Sequence, residues 1–261
     1  MNYMASYYSD VGTTKGINQD SLCIKSAICK RGRILLAAVC DGMGGNDEGE
    51  VASKAAVEAV SDWFDKRLSV IVTTKNEKEA ISNSVSELRS LIVQLNHTLC
   101  TYGNKNNIKL GTTLSLIIIY PSRRYVIGHV GDSRIYAIDG KITLLTRDQS
   151  LVAEEARRGI IPWNSVASDP RRNVLLECIG ISEKVNPVVY IGKRRIRGGG
   201  IVLCSDGLYH ELTEIEMRKT FSVKFRDKES LQRLLCKLVN LVKQRGEKDN
   251  ITVVYIAAEN D

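Results

Sequence analysis

The chain has 261 residues, of which 43% are hydrophobic and 26% charged, and its formal net charge is +7; this composition supports a sizeable core and argues against disorder. Its seven cysteines are odd in number and form no CxxC pair, which argues against a disulfide framework or a zinc-thiolate site, and an aromatic content of 6% offers no stacking platform for nucleic acid. The longest uncharged apolar run, around residues 110–122, is too short to span a bilayer, and the first residues lack the features of a signal peptide, so we expect a cytoplasmic protein that contacts no membrane.

Taken in chain order, the pattern contains many strands and few helices. Strands are predicted at residues 20–29, 33–40, 112–120, 124–130, 134–138, 141–146, 186–191, 200–205 and 251–257. Helices are predicted at 48–68, 77–101 and 228–245. Asp139-Gly140 predicts a tight hairpin turn. Because the strands do not alternate one-for-one with helices, the pattern favours an α+β arrangement of packed antiparallel sheets covered by helices.

Residues 148–180 differ from the rest, because a short helical start is followed by few strand signals. We predict that this segment is an irregular excursion that acts as a flap over a site. Between Arg157 and Arg197, nine Lys or Arg residues outnumber three Asp or Glu residues. This basic stretch is either a solvated face or a surface that attracts acidic or phosphorylated partners.

Three apolar runs end in an aspartate next to glycine, and a fourth aspartate precedes another apolar run. These aspartates are Asp41, Asp132, Asp206 and Asp249. One Asp-Gly pair is usually only a turn, but four carboxylates at strand ends can converge if the strands pack side by side. Carboxylates and backbone carbonyls suit Mg(II), Mn(II) or Ca(II) rather than zinc or copper. Because two such ions can activate water for attack on phosphorus, the aspartates predict hydrolysis of a phosphate ester.

Other catalytic signatures are missing from the sequence. It contains no GxSxG nucleophile elbow, no P-loop and no Cys-x5-Arg phosphate loop, so no protein nucleophile is indicated. The three histidines, His97, His129 and His210, form no ligand-spaced cluster. For His129, within a strand-like run, we expect a hydrogen-bonded core position.

Seven ordered motifs, spanning nearly the whole chain, resemble the metal-dependent protein serine/threonine phosphatase family of type 2C in its compact bacterial form. They are GxNQDS (Gly16 to Ser21), AVCDGMGG (Ala38 to Gly45), GTT (Gly111 to Thr113), GHVGDSRIY (Gly128 to Tyr136), RDQSLV (Arg147 to Val152), CSDGL (Cys204 to Leu208) and DNIT (Asp249 to Thr252). The resemblance implies a four-layer α-β-β-α sandwich, with two antiparallel sheets flanked by helices. It also implies one catalytic domain over residues 1–261, with a flap subdomain at about 148–180, that hydrolyses phosphoserine and phosphothreonine in proteins.

The resemblance also implies a site with two core ions, Mg(II) or Mn(II). Asp41 bridges the two ions, and the backbone carbonyl of Gly42 ligates one of them. Asp206 and Asp249 complete the first shell, so that Asp41, Asp206 and Asp249 are the catalytic residues. Asp20 acts nearby through metal-bound water.

A third, weaker ion is implied at Asp132 together with Asp206. Two positions depart from the pattern of the family. Lys15 stands where relatives commonly have an arginine that holds the substrate phosphate, and lysine lacks the bidentate fork, so we predict weaker phosphate capture. Met43 stands where some relatives have a histidine that acts as general acid, and no replacement acid is evident.

The leading hypothesis is an active phosphatase that acts as a monomer on phosphorylated protein substrates and opposes a cognate serine/threonine kinase. One alternative is a non-catalytic phosphoprotein- or metal-sensing module on the same fold, which only Lys15 supports. Another is a phosphatase dedicated to a single regulatory partner.

Overall fold

The computed structural model of the chain describes residues 3–44, 48–74, 76–193, 199–223, 225 and 227–258. Its strands are β1 (Tyr3–Asp10), β2 (Asp20–Cys29), β3 (Gly32–Gly44), β4 (Leu110–Thr112), β5 (Leu114–Ile119), β6 (Arg124–Val130), β7 (Arg134–Asp139), β8 (Lys141–Leu144), β9 (Val188–Lys193), β10 (Gly200–Cys204) and β11 (Ile251–Ala258). Its α-helices are α1 (Glu48–Trp63), α2 (Ser69–Ile71), α3 (Glu77–Asn106), α4 (Leu151–Arg157), α5 (Asp206–Tyr209), α6 (Glu214–Phe221) and α7 (Lys228–Gln244).

The strands form two antiparallel sheets. The first sheet has the order β1-β11-β10-β7-β8, and the second has the order β2-β3-β5-β6-β9, with β4 paired to the end of β3. Sequential hairpins such as β2–β3 and β5–β6 account for much of the second sheet. The first sheet instead joins the two ends of the chain, because β1 pairs with β11 along its whole length.

The core has three apolar layers, and the alternation of side chains along each strand assigns residues to them. On β3, Leu36 and Ala38 face the layer that also contains Trp63 of α1 and Leu88 of α3. Leu35 and the other residues of β3 that alternate with these face a second layer, between the two sheets. The third layer packs the other face of the first sheet against α6 and α7. Helices therefore cover both outer faces, and the predicted four-layer α-β-β-α sandwich is confirmed.

Most predicted elements are present, with shifts that have local causes. The predicted strand at 112–120 is divided into β4 and β5, since the backbone of Thr113 leaves the ladder to bond Asp41. The strand predicted at 186–191 is β9, which lies two residues later. The helix predicted at 48–68 ends at Trp63 and continues as a π-helical turn over Phe64–Leu68. The hairpin at Asp139-Gly140 is confirmed, with Gly140 at a φ of 66°.

The sequence did not predict β1 or α6, nor the short helices α2 and α5. Strand β1, with the sequence YMASYYSD, is half-exposed along most of its length, so it carries little apolar signal. Helix α6 is short and polar, but a capping box between Thr213 and Glu216 marks its start. Among the described residues, no helix combines the length and apolar character needed to cross a membrane.

Candidate metal centre

Asp20 and Asp41 lie directly opposite each other in the register of β2 and β3. The GTT motif fixes the backbone of Asp41. Asp41 N–H donates to Thr113 Oγ1 at 2.9 Å, and its carbonyl accepts from Thr113 N–H at 2.9 Å and Thr112 Oγ1 at 3.0 Å. With its main chain bonded on both sides, the Asp41 carboxylate projects from a fixed point at the end of the sheet.

Gly42 follows Asp41 at a close contact between β3 and the start of α1. A Cβ atom added at Gly42 would lie 2.1 Å from the carbonyl oxygen of Gly49, so only glycine fits. The Gly42 N–H donates to the carbonyl of Gln19 at 3.1 Å. The predicted carbonyl ligand is therefore positioned by packing against two segments of backbone.

The first sheet brings Asp206 and Asp249 to the same end of the molecule, because β10 and β11 are paired neighbours. Asp206 begins α5, and a Cβ atom at Gly207 would lie 2.2 Å from the carbonyl oxygen of Asn250, so the two loops touch. Ser205 Oγ donates to Asp20 Oδ2 at 2.8 Å, which connects the two sheets beside the carboxylates.

Asn250 secures the loop that precedes Asp20. Its Nδ2 donates to the carbonyls of Val11 and Ile17 at 2.9 Å and 3.2 Å, and its Oδ1 accepts from Gln19 N–H at 2.9 Å. The side chain is buried, and its bonds join the start of β11 to the loop between β1 and β2. The Asp-Asn pair therefore joins a candidate ligand to the residue that holds the opposite loop in place.

Strand pairing brings these aspartates toward one end of the molecule, and the bond from Ser205 to Asp20 links the two sheets there. Burial raises the pKa of Asp41 well above its ordinary value, and the charges of Asp20, Asp206, Asp132 and Asp249 raise it further. All the other aspartates predicted to bind metal therefore act on Asp41. This convergence of distant segments is the central prediction from the sequence.

The remaining aspartates respond to the same surroundings. Burial raises the pKa of Asp20 to about 7, against hydrogen bonds from Thr252 and Ser205 that lower it. Burial and the charge of Asp249 raise the pKa of Asp206 to about 6, although a hydrogen bond shared with Asp41 lowers it. A cluster of like charges out of water favours protons, or cations, bound among them.

Asp132 lies on the turn between β6 and β7. Burial and the charges of Asp206 and Asp148 raise its pKa well above the ordinary value, whereas Arg134 lowers it. Arg134 is held by a bidentate pair with Asp148, the closest contact being 2.7 Å, and it stacks over the ring of Tyr209. Because the guanidinium group of Arg134 is already bonded to Asp148, it compensates the negative charge of Asp132 only in part.

Lys15 faces the cluster from the loop before β2. Its Nζ lies 3.1 Å from Asp249 Oδ1, and both side chains are partly exposed. Partial burial acts to lower the pKa of Lys15, but the hydrogen bond to Asp249 and the charges of Asp249, Asp41 and Asp206 outweigh it and raise the pKa. Lys15 is thus at the solvent-facing side of the acidic cluster, where a phosphate group could approach it.

The donor set fits hard divalent cations. It contains only oxygen atoms, the type that Mg(II) and Mn(II) prefer. One of these atoms, Asp20 Oδ1, is buried and has no hydrogen-bond partner among the described residues. Within the described part of the chain, however, no three Asp, Glu, His or Cys side chains are already closed around a common point as ligands. The chemistry of the residues therefore fits the ions, and ligation requires side-chain adjustment.

Some residues that position the site belong to the sequence motifs, but the sequence alone did not indicate their role. Gln149 of the RDQS motif accepts from Gly131 N–H at 2.7 Å and so fixes the turn that bears Asp132. Thr113 and Asn250 likewise act on the backbone, which a search for ligand types overlooks. His129 is buried and bonded to Ser115 Oγ and the Arg147 carbonyl, which confirms its expected core position.

The segment predicted to be a flap contains α4 and a 3-10 helix, Trp163–Ser168. Arginines of this segment pair with its own carboxylates, since Arg157 pairs with Glu154, and Arg171 pairs with Glu155 and Asp169. Part of the predicted basic stretch, residues 194–198, lies outside the described residues, as does Gly45 of the glycine-rich motif.

Comparisons with known proteins point to one family. The family model described as Protein phosphatase 2C matches residues 13–253. A serine/threonine phosphatase named stp from Listeria monocytogenes serotype 4b is 31% identical over 222 residues, covering 85% of this chain and 83% of its own. The protein of the same name from Listeria innocua serovar 6a is 30% identical over 253 residues, covering 97% and 94%.

Solved structures resemble the whole chain. A crystal structure of a bacterial serine phosphatase superposes with a TM-score of 0.84 at 27% identity, covering 100% of this chain and 99% of that one. Serine/threonine phosphatase Stp1 from Staphylococcus aureus superposes with a TM-score of 0.84 at 26% identity, covering 100% and 96%.

Proposed function

This chain belongs to the protein phosphatase 2C family, and from that membership we propose that its clustered aspartates bind the divalent cations with which it dephosphorylates proteins. The chain is a protein serine/threonine phosphatase, its substrates are phosphoproteins, and its family is metal-dependent. The proposal is supported chiefly by the arrangement of the strands: Asp20 and Asp41 lie opposite each other on β2 and β3, and the pairing of β10 with β11 brings Asp206 and Asp249 to one end of the first sheet, where Ser205 Oγ donates to Asp20.

In the proposed site, Asp41 and the carbonyl of Gly42 would hold the ions together with Asp206 and Asp249 from the first sheet, and Asp20 would support them from β2. When bound, Mg(II) or Mn(II) supplies charge that activates water and offsets negative charge on the phosphate. The paired strands hold the backbones of these ligands in place, so only their side chains would have to adjust for the ions to bind.

Lys15 is proposed to hold the substrate phosphate. Its ammonium group already lies beside the cluster, 3.1 Å from Asp249. Cation binding at Asp249 would compete for that carboxylate and release the ammonium group for the phosphate. A lysine acts there as a point charge, which orients the phosphate less strictly than an arginine fork.

A third, weaker ion is proposed at Asp132 and Asp206. The charge of Asp206 acts on the buried carboxyl of Asp132, which supports a shared cation. Arg134 lies close enough to lower the pKa of Asp132, and its positive charge opposes a cation there. Weak binding at this position is therefore expected on electrostatic grounds.

Oxygen ligands accept both Mg(II) and Mn(II), and we propose that either ion supports turnover.

We propose a single catalytic domain, with residues 148–180 as a flap at its edge, acting as a monomer opposite a cognate kinase. A cytoplasmic location is supported by seven cysteines that are all free thiols.

The alternative is a module that senses phosphoproteins or metal without turnover. One experiment separates them: hydrolysis of an aryl phosphate and a phosphothreonine peptide, with Mn(II) and with chelator, by the wild type, Asp206→Ala and Asp62→Ala. Asp62 is exposed on α1 and serves as the matched control. The proposal requires metal-dependent turnover in the wild type and Asp62→Ala, and its loss in Asp206→Ala. Hydrolysis no faster than the uncatalysed background in all three proteins, with and without Mn(II), would leave the sensing module as the better description.

A further inference from the structure

Two buried side chains with no part in the proposed chemistry lie beside Asp206. His210 Nδ1 is 3.9 Å from Asp206 Oδ2 and 3.7 Å from Glu247 Oε2. The side chains of His210 and Glu247 are only 9% and 6% exposed. A nitrogen that can donate a hydrogen bond therefore lies between two carboxylates in the protein interior.

Glu247 is fixed through one of its oxygens only. Oε1 accepts from the backbone N–H groups of Lys248 and Asp249 at 2.7 Å and 2.9 Å, which keeps the carboxylate against the loop that bears Asp249. Oε2 is buried and has no hydrogen-bond partner among the described residues. An unpaired buried acceptor is costly, so this oxygen requires a donor, and His210 Nδ1 faces it.

His210 is also fixed relative to Asp206. Its backbone N–H donates to the Asp206 carbonyl at 3.0 Å, which places the two side chains on one turn. The ring of Tyr209 packs edge-on against the imidazole, with 5.0 Å between centroids. Burial lowers the pKa of His210 to about 4, with Arg172 adding to the effect.

We propose that His210, held by Glu247, is a positioning residue that orients the carboxylate of Asp206 for cation binding. This inference rests on the proposed function, since it assigns Asp206 as a ligand. With the proton on Nδ1, His210 can donate to either carboxylate after a movement of about 1 Å. Partners of this kind fix the orientation of ligating groups, and their loss typically lowers metal affinity about 10- to 100-fold.

Substitutions at His210 can separate the donor from the ring. In His210→Phe the ring volume and the packing on Tyr209 remain, but the donor is lost. In His210→Asn the amide nitrogen lies close to the place of Nδ1, so the donor is restored without the ring. His97, exposed on α3, provides the matched control as His97→Phe.

The test measures free Mn(II) by electron paramagnetic resonance during titration, with thermal unfolding in chelator recorded separately. We expect His210→Phe to weaken Mn(II) binding about 10-fold, and His210→Asn and His97→Phe to stay within about three-fold of the wild type. Glu247→Gln replaces the carboxylate that faces the Nδ1 proton by an amide, so it should also weaken Mn(II) binding. This variant provides the test if His210→Phe does not fold.

The positioning role is wrong if His210→Phe binds Mn(II) like the wild type, or if His210→Asn is as weak as His210→Phe. A change in thermal stability without a change in affinity would likewise reject it. These results would leave metal-dependent turnover by the wild type intact, whereas failure of the proposed function itself would appear as a wild type that neither binds Mn(II) nor hydrolyses phosphopeptide.

Discussion

Lys15 and Asp249 form an ion pair, 3.1 Å between Nζ and Oδ1, at the solvent-facing side of the acidic cluster. An exposed pair of this kind contributes little to stability. Its interest is functional, because it joins the proposed phosphate-binding group to a proposed ligand of the core ions.

Replacing Lys15 should therefore change substrate binding. Lys15→Met is expected to raise KM for a phosphothreonine peptide about 10-fold, since one charge-assisted contact to phosphate is lost. Lys15→Arg should lower KM more than it changes kcat, because the guanidinium group can bind phosphate through two donors. Steady-state kinetics at saturating Mn(II) measures both values. Lys237→Met, on the exposed face of α7, is the control. An unchanged KM in both Lys15 variants would remove Lys15 from the phosphate site.

Asp132→Asn tests the proposed third ion. The negative charge of Asp206 raises the pKa of Asp132, whereas the positive charge of Arg134 lowers it. We expect the variant to lose the weak Mn(II) site and to keep the two tight sites within about three-fold of their wild-type affinity, as a neighbouring charge acts mainly on its own ion. Isothermal titration calorimetry counts the sites. Loss of a tight site, or retention of all the weak binding, would contradict the assignment.

The metal-free protein should become more stable as the pH falls from about 8 to about 5. The pKa values of Asp20 and Asp206 are raised, to about 7 and about 6, above the ordinary value for aspartate. A raised pKa contributes stability that is present below the unfolded pKa and lost as the pH rises through the folded pKa. Bound cations should flatten or reverse the trend, because they favour the charged carboxylates.

Calorimetry of chelator-stripped protein measures this dependence through Tm. Asp20→Asn should raise Tm at about pH 8 and weaken the pH dependence, because the amide does not ionise in the buried position where the Asp20 carboxylate would. Asp62→Asn, at an exposed position, should leave both unchanged. A metal-free Tm that falls steadily on acidification over this range would show that the carboxylates do not repel one another as described.

Gly49→Ala tests the placement of the Gly42 carbonyl. A Cβ atom at Gly49 would lie 2.7 Å from the carbonyl carbon and 2.8 Å from the oxygen of Gly42, both backbone atoms that cannot move alone. We expect unfolding free energy to fall by about 1–3 kcal/mol, as in other overpacked sites, with Mn(II) affinity falling at the same time. Chemical denaturation and Mn(II) titration measure the two effects. Glu50→Ala, exposed in the same turn, should change neither. Normal Mn(II) affinity in Gly49→Ala would argue against Gly42 as a ligand.

The sequence predicted the fold where periodicity was strong. Strands β2 and β6 were predicted with their observed bounds, because both are continuous runs between clear breaks. It could not predict that β3 extends to Gly44, since that extension depends on pairing with β4, a distant segment. Strand β1 was missed because it forms through pairing with β11 rather than through its own apolar pattern.

For the site, the sequence indicated which residues are candidate ligands, but it did not indicate which residues hold those ligands in place. Aspartates beside glycine at strand ends indicated cation ligands, whereas nothing local in Thr113 or Asn250 indicates that they bond the backbones of Asp41 and Gln19. The same limit applies to His210 and Glu247, which come together only in the fold.

The most direct test is a comparison of the wild type with Asp41→Asn in one Mn(II) titration, recording bound ions and phosphothreonine-peptide turnover on the same samples. Asp41 is the carboxylate on which all the others act, so the amide should abolish tight binding of the two ions and lower kcat by at least about 1,000-fold while the protein stays folded. A folded Asp41→Asn protein that binds two ions tightly and turns over at the wild-type rate would contradict a metal centre built around this residue.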